Sequence, residues 1–248
     1  MNIVDINITD KSHCPICGRV MELLSFDRFT SVEYVGLEPL LLCNNTPICL
    51  KERWKTIQEA RQRRDTEHPE IILSLNGVPK RFQNCSFENF KGNPKAVQAC
   101  RNHDLSNGLY MFGGAGRGKT HLAVAKLREL VKTGHYDFQF ASLATLLSKL
   151  ARAAFDTNKS SESEARLVEK YSQTNILVLD DLGQHGASPW VITKLYLIID
   201  SRYSEEKPTI ITSNFGLDEI HKKLGEPIAS RLSESRIIHI TGLDYRKQ

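Results

Sequence analysis

Long hydrophobic runs are missing from this 248-residue sequence. No stretch approaches the roughly 18 apolar residues that a membrane-spanning helix needs, so we expect no contact with a membrane. The first residues lack the basic and apolar segments of a secretory signal, which predicts a cytoplasmic protein. In that compartment the six cysteines are not expected to form a disulfide framework. The eight histidines are scattered, and no Ser-His-Asp or Cys-His arrangement of a nucleophile is evident.

A strong excess of one charge sign is also missing, because the net charge is only +4. A local excess of positive charge, also +4, lies between Lys51 and Arg64, where six side chains are basic and two are acidic. Leu50, Trp54 and Ile57 are spaced as one stripe of a helix, so this segment is predicted to be helical. It can contact nucleic acid or an acidic protein surface, or it can be a solvated helix face.

The chain divides into three parts by composition. Residues 1–50 hold four of the six cysteines and are predicted to form a small metal-binding module. Residues 51–75 are predicted to be a basic helical linker. Residues 76–248 are predicted to form one α/β domain, since short apolar runs alternate there with helical segments, a pattern that indicates a parallel sheet sandwiched by helices. The strand candidates are 107–112, 137–141, 175–179 and 208–212, and the helix candidates are 122–132, 143–155, 190–203 and 217–224.

A glycine-rich loop follows the first strand candidate and precedes the first helix candidate. It matches G-x-x-x-x-G-K-[ST], the pattern of a phosphate-binding loop. Its glycines let successive backbone N–H groups point at phosphate oxygens, and the following helix adds its positive end. Lys119 is predicted to reach the β- and γ-phosphates of ATP, and the Thr120 hydroxyl is predicted to bind Mg²⁺. The predicted nucleotide-binding residues of this loop are Gly113, Gly114, Ala115, Gly116, Arg117, Gly118, Lys119 and Thr120.

The second half of such a site is an apolar strand that ends in acidic residues. Residues 176–181 read Ile-Leu-Val-Leu-Asp-Asp. Asp180 is predicted to hold Mg²⁺ through water, and Asp181 is predicted to orient or deprotonate the attacking water. A further strand candidate runs into Thr-Ser-Asn. If that strand lies beside the Asp180 strand, Asn214 is expected near the γ-phosphate, where it can polarise the water.

The order of these features resembles the AAA+ ATPases of the DnaC/DnaI helicase-loader family, with the IstB transposition ATPases as close relatives. The resemblance spans about residues 76–248. It is carried by the phosphate loop, by Asp-Asp-Leu-Gly ending at Gly183, by Thr-Ser-Asn-Phe ending at Phe215 and by Gly-Glu-Pro-Ile-Ala-Ser-Arg ending at Arg231. It implies a P-loop AAA+ fold, ATP hydrolysis with Mg²⁺, and Asn214 as the residue that senses the γ-phosphate. Many AAA+ proteins have Asp-Glu where this chain has Asp180 and Asp181, which implies slow hydrolysis.

The resemblance also implies that the site is completed by a second subunit. Arg231 occupies the arginine-finger position, where a guanidinium stabilises charge on the phosphoryl group of ATP bound by a neighbour. Arg236 is the alternative finger. Arg246 lies in Gly-Leu-Asp-Tyr-Arg, which matches a C-terminal motif of the family. We therefore expect self-assembly through ATP-bridged interfaces.

Loaders of this family bind single-stranded DNA, and three residues of this chain match regions that contact it. Phe155 follows a helix candidate, whereas Ser188 and Trp190 follow Asp-Asp-Leu-Gly. An exposed aromatic ring stacks on bases without reading their sequence. The alternative is that Phe155 and Trp190 are core residues.

The cysteine-bearing module is predicted to bind structural zinc. Cys14 and Cys17 form a C-x₂-C knuckle, and Cys43 and Cys49 supply the two further thiolates of a tetrahedral site. The metal would supply folding energy that so short a segment lacks. His13 is an alternative ligand, and reduced, buried cysteines are the other interpretation. Some loaders of the DnaI type carry an N-terminal zinc domain that contacts the replicative helicase, and the resemblance implies that role here.

The function implied by the resemblance is that of an ATP-dependent loader of the replicative DNA helicase hexamer in DNA replication. Two alternatives stay open. One is an IstB-like ATPase that assists a transposase on duplex DNA. The other is an adaptor that binds ATP with little turnover.

Overall fold

The computed structural model describes residues 66–155, 163–184 and 188–245, together with a few isolated positions nearer the N-terminus. Backbone contacts divide the chain into two units, residues 1–67 and residues 68–248. Across the described part of the chain, no helix is long and apolar enough to cross a membrane.

The first unit is described only in part. The two-residue strands β1 (Glu22–Leu23) and β2 (Leu41–Leu42) pair in antiparallel orientation. Positions 59, 63, 66 and 67 are helical, and the linker over residues 51–75 stays a prediction. Four predicted zinc ligands and their alternative lie outside the described residues, namely Cys14, Cys17, Cys43, Cys49 and His13.

The second unit alternates strands with helices. Its strands are β3 (Leu109–Phe112), β4 (Phe138–Ser142), β5 (Ile176–Leu182), β6 (Thr209–Ser213) and β7 (Arg236–His239). Its helices are α1 (Pro69–Leu75), α2 (Pro94–Arg101), α3 (Lys119–Lys132), α4 (Leu143–Phe155), α5 (Glu164–Gln173), α6 (Pro189–Ser204), α7 (Leu217–Leu224) and α8 (Glu226–Ser233), with a 3₁₀ turn at Lys80–Phe82.

The five strands form one sheet in the order β4-β5-β6-β3-β7. Every neighbouring pair is parallel, which confirms the predicted parallel sheet. Each of the four strand candidates coincides with a strand, but β7 was not predicted. Only Ile238 of its four residues is buried, so its sequence lacks the continuous apolar run that marks a central parallel strand.

Two hydrophobic clusters cover the two faces of the sheet. Side chains alternate along β3, so that Leu109 and Met111 pack with α1, α2 and α3, whereas Tyr110 packs with α4 to α8. This alternation follows from the two-residue period of a strand. The sheet is therefore sandwiched by helices, as predicted.

A buried arginine joins three elements at the amino-terminal edge of the sheet. The side chain of Arg202, on α6, is fully buried, and burial lowers the pKa of its guanidinium to about 10. Its Nε donates to the hydroxyl of Thr209 at 2.9 Å. Its terminal nitrogens donate to the carbonyls of Tyr171, Ser172, Thr174, Asn175 and Pro208. A single side chain thus donates hydrogen bonds to the backbone carbonyls where α5 leads into β5 and where β6 begins.

We expect Arg202→Leu to lower the free energy of unfolding by about 3 kcal/mol or more, because several buried carbonyls lose their donor. The measurement is urea unfolding followed by circular dichroism. The matched control is Arg152→Leu at an exposed position of α4, for which we expect a change within about 0.5 kcal/mol. Equal effects of the two substitutions would contradict this role for Arg202.

Candidate functional site

The residues predicted to bind ATP and Mg²⁺ meet at the carboxyl-terminal edge of three neighbouring strands. The loop after β3, the acidic end of β5 and the residue after β6 all lie at this edge, because the strands are parallel neighbours. Ligands of open α/β sheets bind at such an edge. β6, which leads into Asn214, pairs directly with β5, which carries Asp180, so the condition set for the position of Asn214 is met.

The phosphate loop curls through backbone conformations that favour glycine. Gly116 has a φ of +71° and Gly118, the N-cap of α3, has a φ of +86°. A Cβ atom at Gly116 would lie 1.6 Å from Oδ1 of Asp244, and one at Gly118 would lie 2.4 Å from the ring of Phe90. Glycine is therefore required at both positions for conformation and for space.

Lys119 is buried within this loop. Its ammonium group donates to the carbonyls of Gly113 at 2.8 Å and of Gly114 at 2.9 Å. It also donates to Oδ1 of Asn214 at 2.7 Å. The structure therefore brings together the two residues that the sequence assigned to the γ-phosphate, although 95 positions separate them along the chain.

Asp180 lies beneath the loop, where hydroxyl groups hold its carboxylate. Its Oδ1 accepts from Oγ1 of Thr120 at 2.8 Å and from Oγ1 of Thr212 at 2.5 Å. Burial raises the pKa of Asp180, while these hydrogen bonds and the charge of Lys119 act in the opposite direction. A carboxylate and a hydroxyl are the kinds of ligand that Mg²⁺ uses alongside water and phosphate oxygens. Thr120 and Asp180 thus fit the predicted magnesium site.

Asp181 adopts an unusual backbone conformation, with a φ of +61°. The pairing of β5 with β6 shifts register between Leu179 and Leu182, and such an irregularity re-aims the side chains within it. The backbone N–H of Asp181 donates to Oγ1 of Thr212 at 3.0 Å. The hydroxyl of Thr212 therefore contacts both aspartates, a role that the sequence analysis did not assign to it.

A cavity of about 460 Å³ opens over these groups. Its volume is within the range of small-molecule sites. Its lining includes the predicted residues Ala115, Gly116, Gly118, Lys119, Thr120, Asp181 and Asn214. It also includes residues that the sequence analysis left without a role, namely Arg81, Phe82, Cys85, Asn89, Phe90, Lys91, His121, Gln184 and Tyr245.

The unassigned wall of the cavity comes from two segments that pack against the phosphate loop. Phe90 contacts the ring of His121 edge-on, with centroids 5.2 Å apart. The N–H of Tyr245 donates to the carbonyl of Gly116 at 3.1 Å, and its hydroxyl donates to the carbonyl of Lys91 at 2.6 Å. Tyr245 lies in Gly-Leu-Asp-Tyr-Arg, the C-terminal motif of the resemblance, which was the one sequence signal given above for this wall.

The candidate arginine fingers lie away from this cavity. Neither Arg231 nor Arg236 is among the described residues that line it. Arg231, on α8, pairs with Asp200 of α6 at 2.5 Å, and Arg236 is exposed at the start of β7. A role for either arginine on ATP bound by a neighbouring subunit stays a prediction, and Arg246 lies outside the described residues.

The residues predicted to contact DNA have structural contacts of their own. Ser188 caps α6, since its hydroxyl accepts from the N–H of Val191 at 3.4 Å. Trp190 packs partly buried against the second hydrophobic cluster, and its Nε1 donates to Glu164 at 3.1 Å. Phe155 ends α4, but its side chain is not described. Their contact with DNA stays a prediction.

The predicted zinc site also stays untested. Within the described ranges, no group of three His, Cys, Asp or Glu side chains is arranged to hold a metal ion, and the four predicted zinc ligands lie elsewhere. The other two cysteines, Cys85 and Cys100, are buried. Burial raises the pKa of their thiols to about 11 and about 12.

Comparisons with known proteins show the family of this chain. A family model described as IstB-like ATP-binding protein matches residues 55–248. The chain belongs to this family. The replicative helicase loader DnaC of Escherichia coli K12 is 30% identical over 170 residues, which cover 64% of this chain and 67% of that protein. DnaC of Buchnera aphidicola is 28% identical over 179 residues, which cover 68% and 72% of the two chains.

Solved structures extend the family relation to the fold. A crystal structure of the DnaC helicase loader matches with a TM-score of 0.57 and 27% identity, covering 66% of this chain and all of that chain. A crystal structure of DnaI matches with a TM-score of 0.54 and 24% identity, covering 68% and 94% of the two chains. Because the DnaI structure is only 24% identical, that match shows similarity of fold alone. The α/β fold is therefore AAA+-like, as the resemblance implied, and the relation to DnaC supports a loader role.

We expect Asp180→Asn to stabilise the protein at neutral pH when nucleotide and Mg²⁺ are absent. The amide keeps an oxygen for the two threonine hydroxyls but removes a charge that burial disfavours. Because the pKa of Asp180 is raised in the folded state, the wild type loses stability as pH rises through that pKa, whereas the variant does not. The advantage of the variant should therefore vanish below about pH 4, near the pKa of an unfolded-state aspartate.

The measurement is urea unfolding of both proteins from about pH 3, below the pKa of an unfolded-state aspartate, to about pH 8. Asp218→Asn, at an exposed position of α7, is the matched control and should show no such trend. A variant that loses stability relative to the wild type as pH rises would contradict the assignment.

Proposed function

We propose that this protein is an ATP-dependent loader of the replicative DNA helicase, which assembles on single-stranded DNA and hydrolyses ATP between subunits. One observation carries the proposal. The Lys119–Asn214 and Thr120–Asp180 hydrogen bonds converge beside one cavity, within a region that is related to DnaC loaders at about 30% identity.

The proposed mechanism follows from the positions of four side chains. The β- and γ-phosphates of ATP would take the place of the carbonyls and the amide that now accept from Lys119. Thr120 and Asp180 would hold Mg²⁺, which neutralises charge on the phosphate oxygens when it is bound. Asp181 and Asn214 line the cavity. Asn214 would orient a water molecule toward the γ-phosphorus, and the carboxylate of Asp181 would accept its proton as ADP leaves.

We further propose that Arg231 completes the site of a neighbouring subunit. Arg231 is not among the described residues that line the cavity of its own chain, which supports a role on ATP bound by a neighbouring chain. A guanidinium that stabilises the transferring phosphoryl group makes turnover depend on assembly. Phe155, Ser188 and Trp190 would then face DNA within the assembly. In the single chain, Ser188 is exposed and Trp190 is partly buried.

The first unit is proposed to bind the helicase through a zinc module and the basic helix. The spacing of Cys14, Cys17, Cys43 and Cys49 supports four thiolate ligands. The basic excess between residues 51 and 64 supports an acidic surface on the partner.

A second candidate function is that of an ATPase that assists a transposase on duplex DNA. It is favoured by the family model itself, whose description is IstB-like and whose match spans residues 55–248. The cysteine-bearing module argues against it, because that role has no evident need for such a module.

The prediction that separates these functions is a complex with the replicative helicase of the same cell. Size-exclusion chromatography with light scattering should give a co-eluting peak in the presence of ATP, and elemental analysis of that peak should find one zinc per chain. Binding to duplex DNA without a helicase complex would instead favour the transposition ATPase.

A double variant, Cys14→Ser with Cys17→Ser, should lose the zinc and the helicase complex while it keeps ATP binding. The matched control is Cys100→Ala, which alters a buried cysteine of the other unit and should keep both. Retention of the helicase complex without zinc would overturn the role proposed for the module.

A further inference from the structure

The guanidinium of Arg231 is held by α6 and by its own helix. Its Nε donates to Oδ1 of Asp200 at 2.5 Å. One terminal nitrogen donates to the carbonyl of Pro227 at 2.8 Å, and the other donates to the hydroxyl of Tyr196 at 3.2 Å. The rings of Tyr196 and Tyr203 lie 5.0 and 5.7 Å from its central carbon. The position of this side chain is thus defined from several directions.

These contacts leave donors available. A guanidinium carries five N–H groups, and the hydrogen bonds to described residues engage three of them. One N–H on each terminal nitrogen is left, and two such groups together are what a bidentate contact with a phosphate uses. The Arg231 side chain is 24% exposed, and it lines a cavity of about 340 Å³ together with Tyr203 and Lys207. The side chain that carries these donors therefore borders open space.

The Arg231–Asp200 ion pair contributes more to the orientation of the Arg231 side chain than to the stability of the fold. An ion pair between partly exposed side chains contributes little to stability, and α8 already packs on the second hydrophobic cluster through Ile228, Ala229 and Leu232. A long arginine side chain, by contrast, loses considerable freedom when it is fixed to one position. If a carboxylate already fixes the arginine side chain, this loss of freedom no longer opposes the step in which the arginine binds phosphate.

We propose that Asp200 is the positioning residue of the arginine finger. It holds Nε of Arg231, with Tyr196 on a terminal nitrogen, so that the remaining N–H groups meet the γ-phosphate of ATP bound by a neighbouring copy of this chain. This inference rests on the proposed function. It assigns to α6 a part in catalysis that no sequence motif indicated.

The test compares Asp200→Ala, Asp200→Asn and Arg231→Ala in the full chain, with ATP turnover measured in the presence of single-stranded DNA. Asp200→Ala should lower kcat by about 10- to 100-fold, the cost of misplacing a catalytic group. Asp200→Asn, which keeps an oxygen for Nε, should lower it less. The affinity of each variant for a fluorescent ATP analogue should be unchanged, because Asp200 lies outside the described lining of the cavity. Glu205→Ala, an exposed carboxylate just after α6, is the matched control with unchanged kcat.

Mixing variants separates positioning from misfolding. Lys119→Ala chains lack a working phosphate loop but keep an intact finger, whereas Asp200→Ala chains keep the loop. Mixed assemblies should regain turnover, since the Lys119→Ala chains supply the finger to ATP bound by the Asp200→Ala chains.

Three outcomes distinguish a failure of the positioning role of Asp200 from a failure of the finger role of Arg231. A wild-type kcat for Asp200→Ala, with Arg231→Ala impaired, would overturn the positioning role and leave the finger in place. An increased kcat would mean that Asp200 restrains the finger, which also overturns the role. A wild-type kcat for Arg231→Ala would overturn the finger itself, and with it that part of the proposed function.

Discussion

Hydrogen bonds from two threonine hydroxyls to one buried carboxylate link the parts of this site. Thr120 from the phosphate loop and Thr212 from β6 both donate to Asp180 at the end of β5. Because Thr212 also accepts from the N–H of Asp181, the position of the proposed catalytic carboxylate depends on the same hydroxyl. Three strands that are distant in sequence are thereby joined at the edge where a nucleotide would bind. The strain of a positive φ at Asp181 persists only because these neighbours fix it.

The order of the strands places the phosphate loop, Asp180 and Thr212 close enough for these hydrogen bonds, and other segments form the walls of the cavity. β3 lies between β6 and β7, and β6 lies beside β5, so the phosphate loop opens next to the acidic pair. Phe90 and Tyr245 then enclose the loop from segments that precede and follow these strands. Arg231, the proposed finger, is outside the described lining of this cavity and pairs with Asp200 of α6. Under the proposed function, the chemistry would be divided between the cavity that binds nucleotide and an arginine that acts on a neighbouring subunit.

Much of the site was predictable from the sequence, because the phosphate loop and the Asp180–Asp181 pair have local signatures with a defined chemical role. Helices Leu143–Phe155 and Leu217–Leu224 coincide with their predictions, since their apolar spacing is strong. The short helices α2, α5 and α8 were not predicted, although Asn93 and Ser163 cap two of them. The positive φ of Asp181, the contacts of Thr212 and the Arg231–Asp200 pair depend on tertiary packing, which residue spacing alone does not encode.

The central claim is that the Lys119 ammonium is the phosphate anchor of an ATP site. Isothermal titration calorimetry of ATP with Mg²⁺ tests it most directly, using the wild type, Lys119→Ala and the exposed Lys132→Ala of the same helix. We expect Lys119→Ala to weaken binding by about 10- to 100-fold, the contribution of a charge-assisted hydrogen bond, and Lys132→Ala to bind as the wild type does. Equal affinities for the wild type and Lys119→Ala would contradict the account.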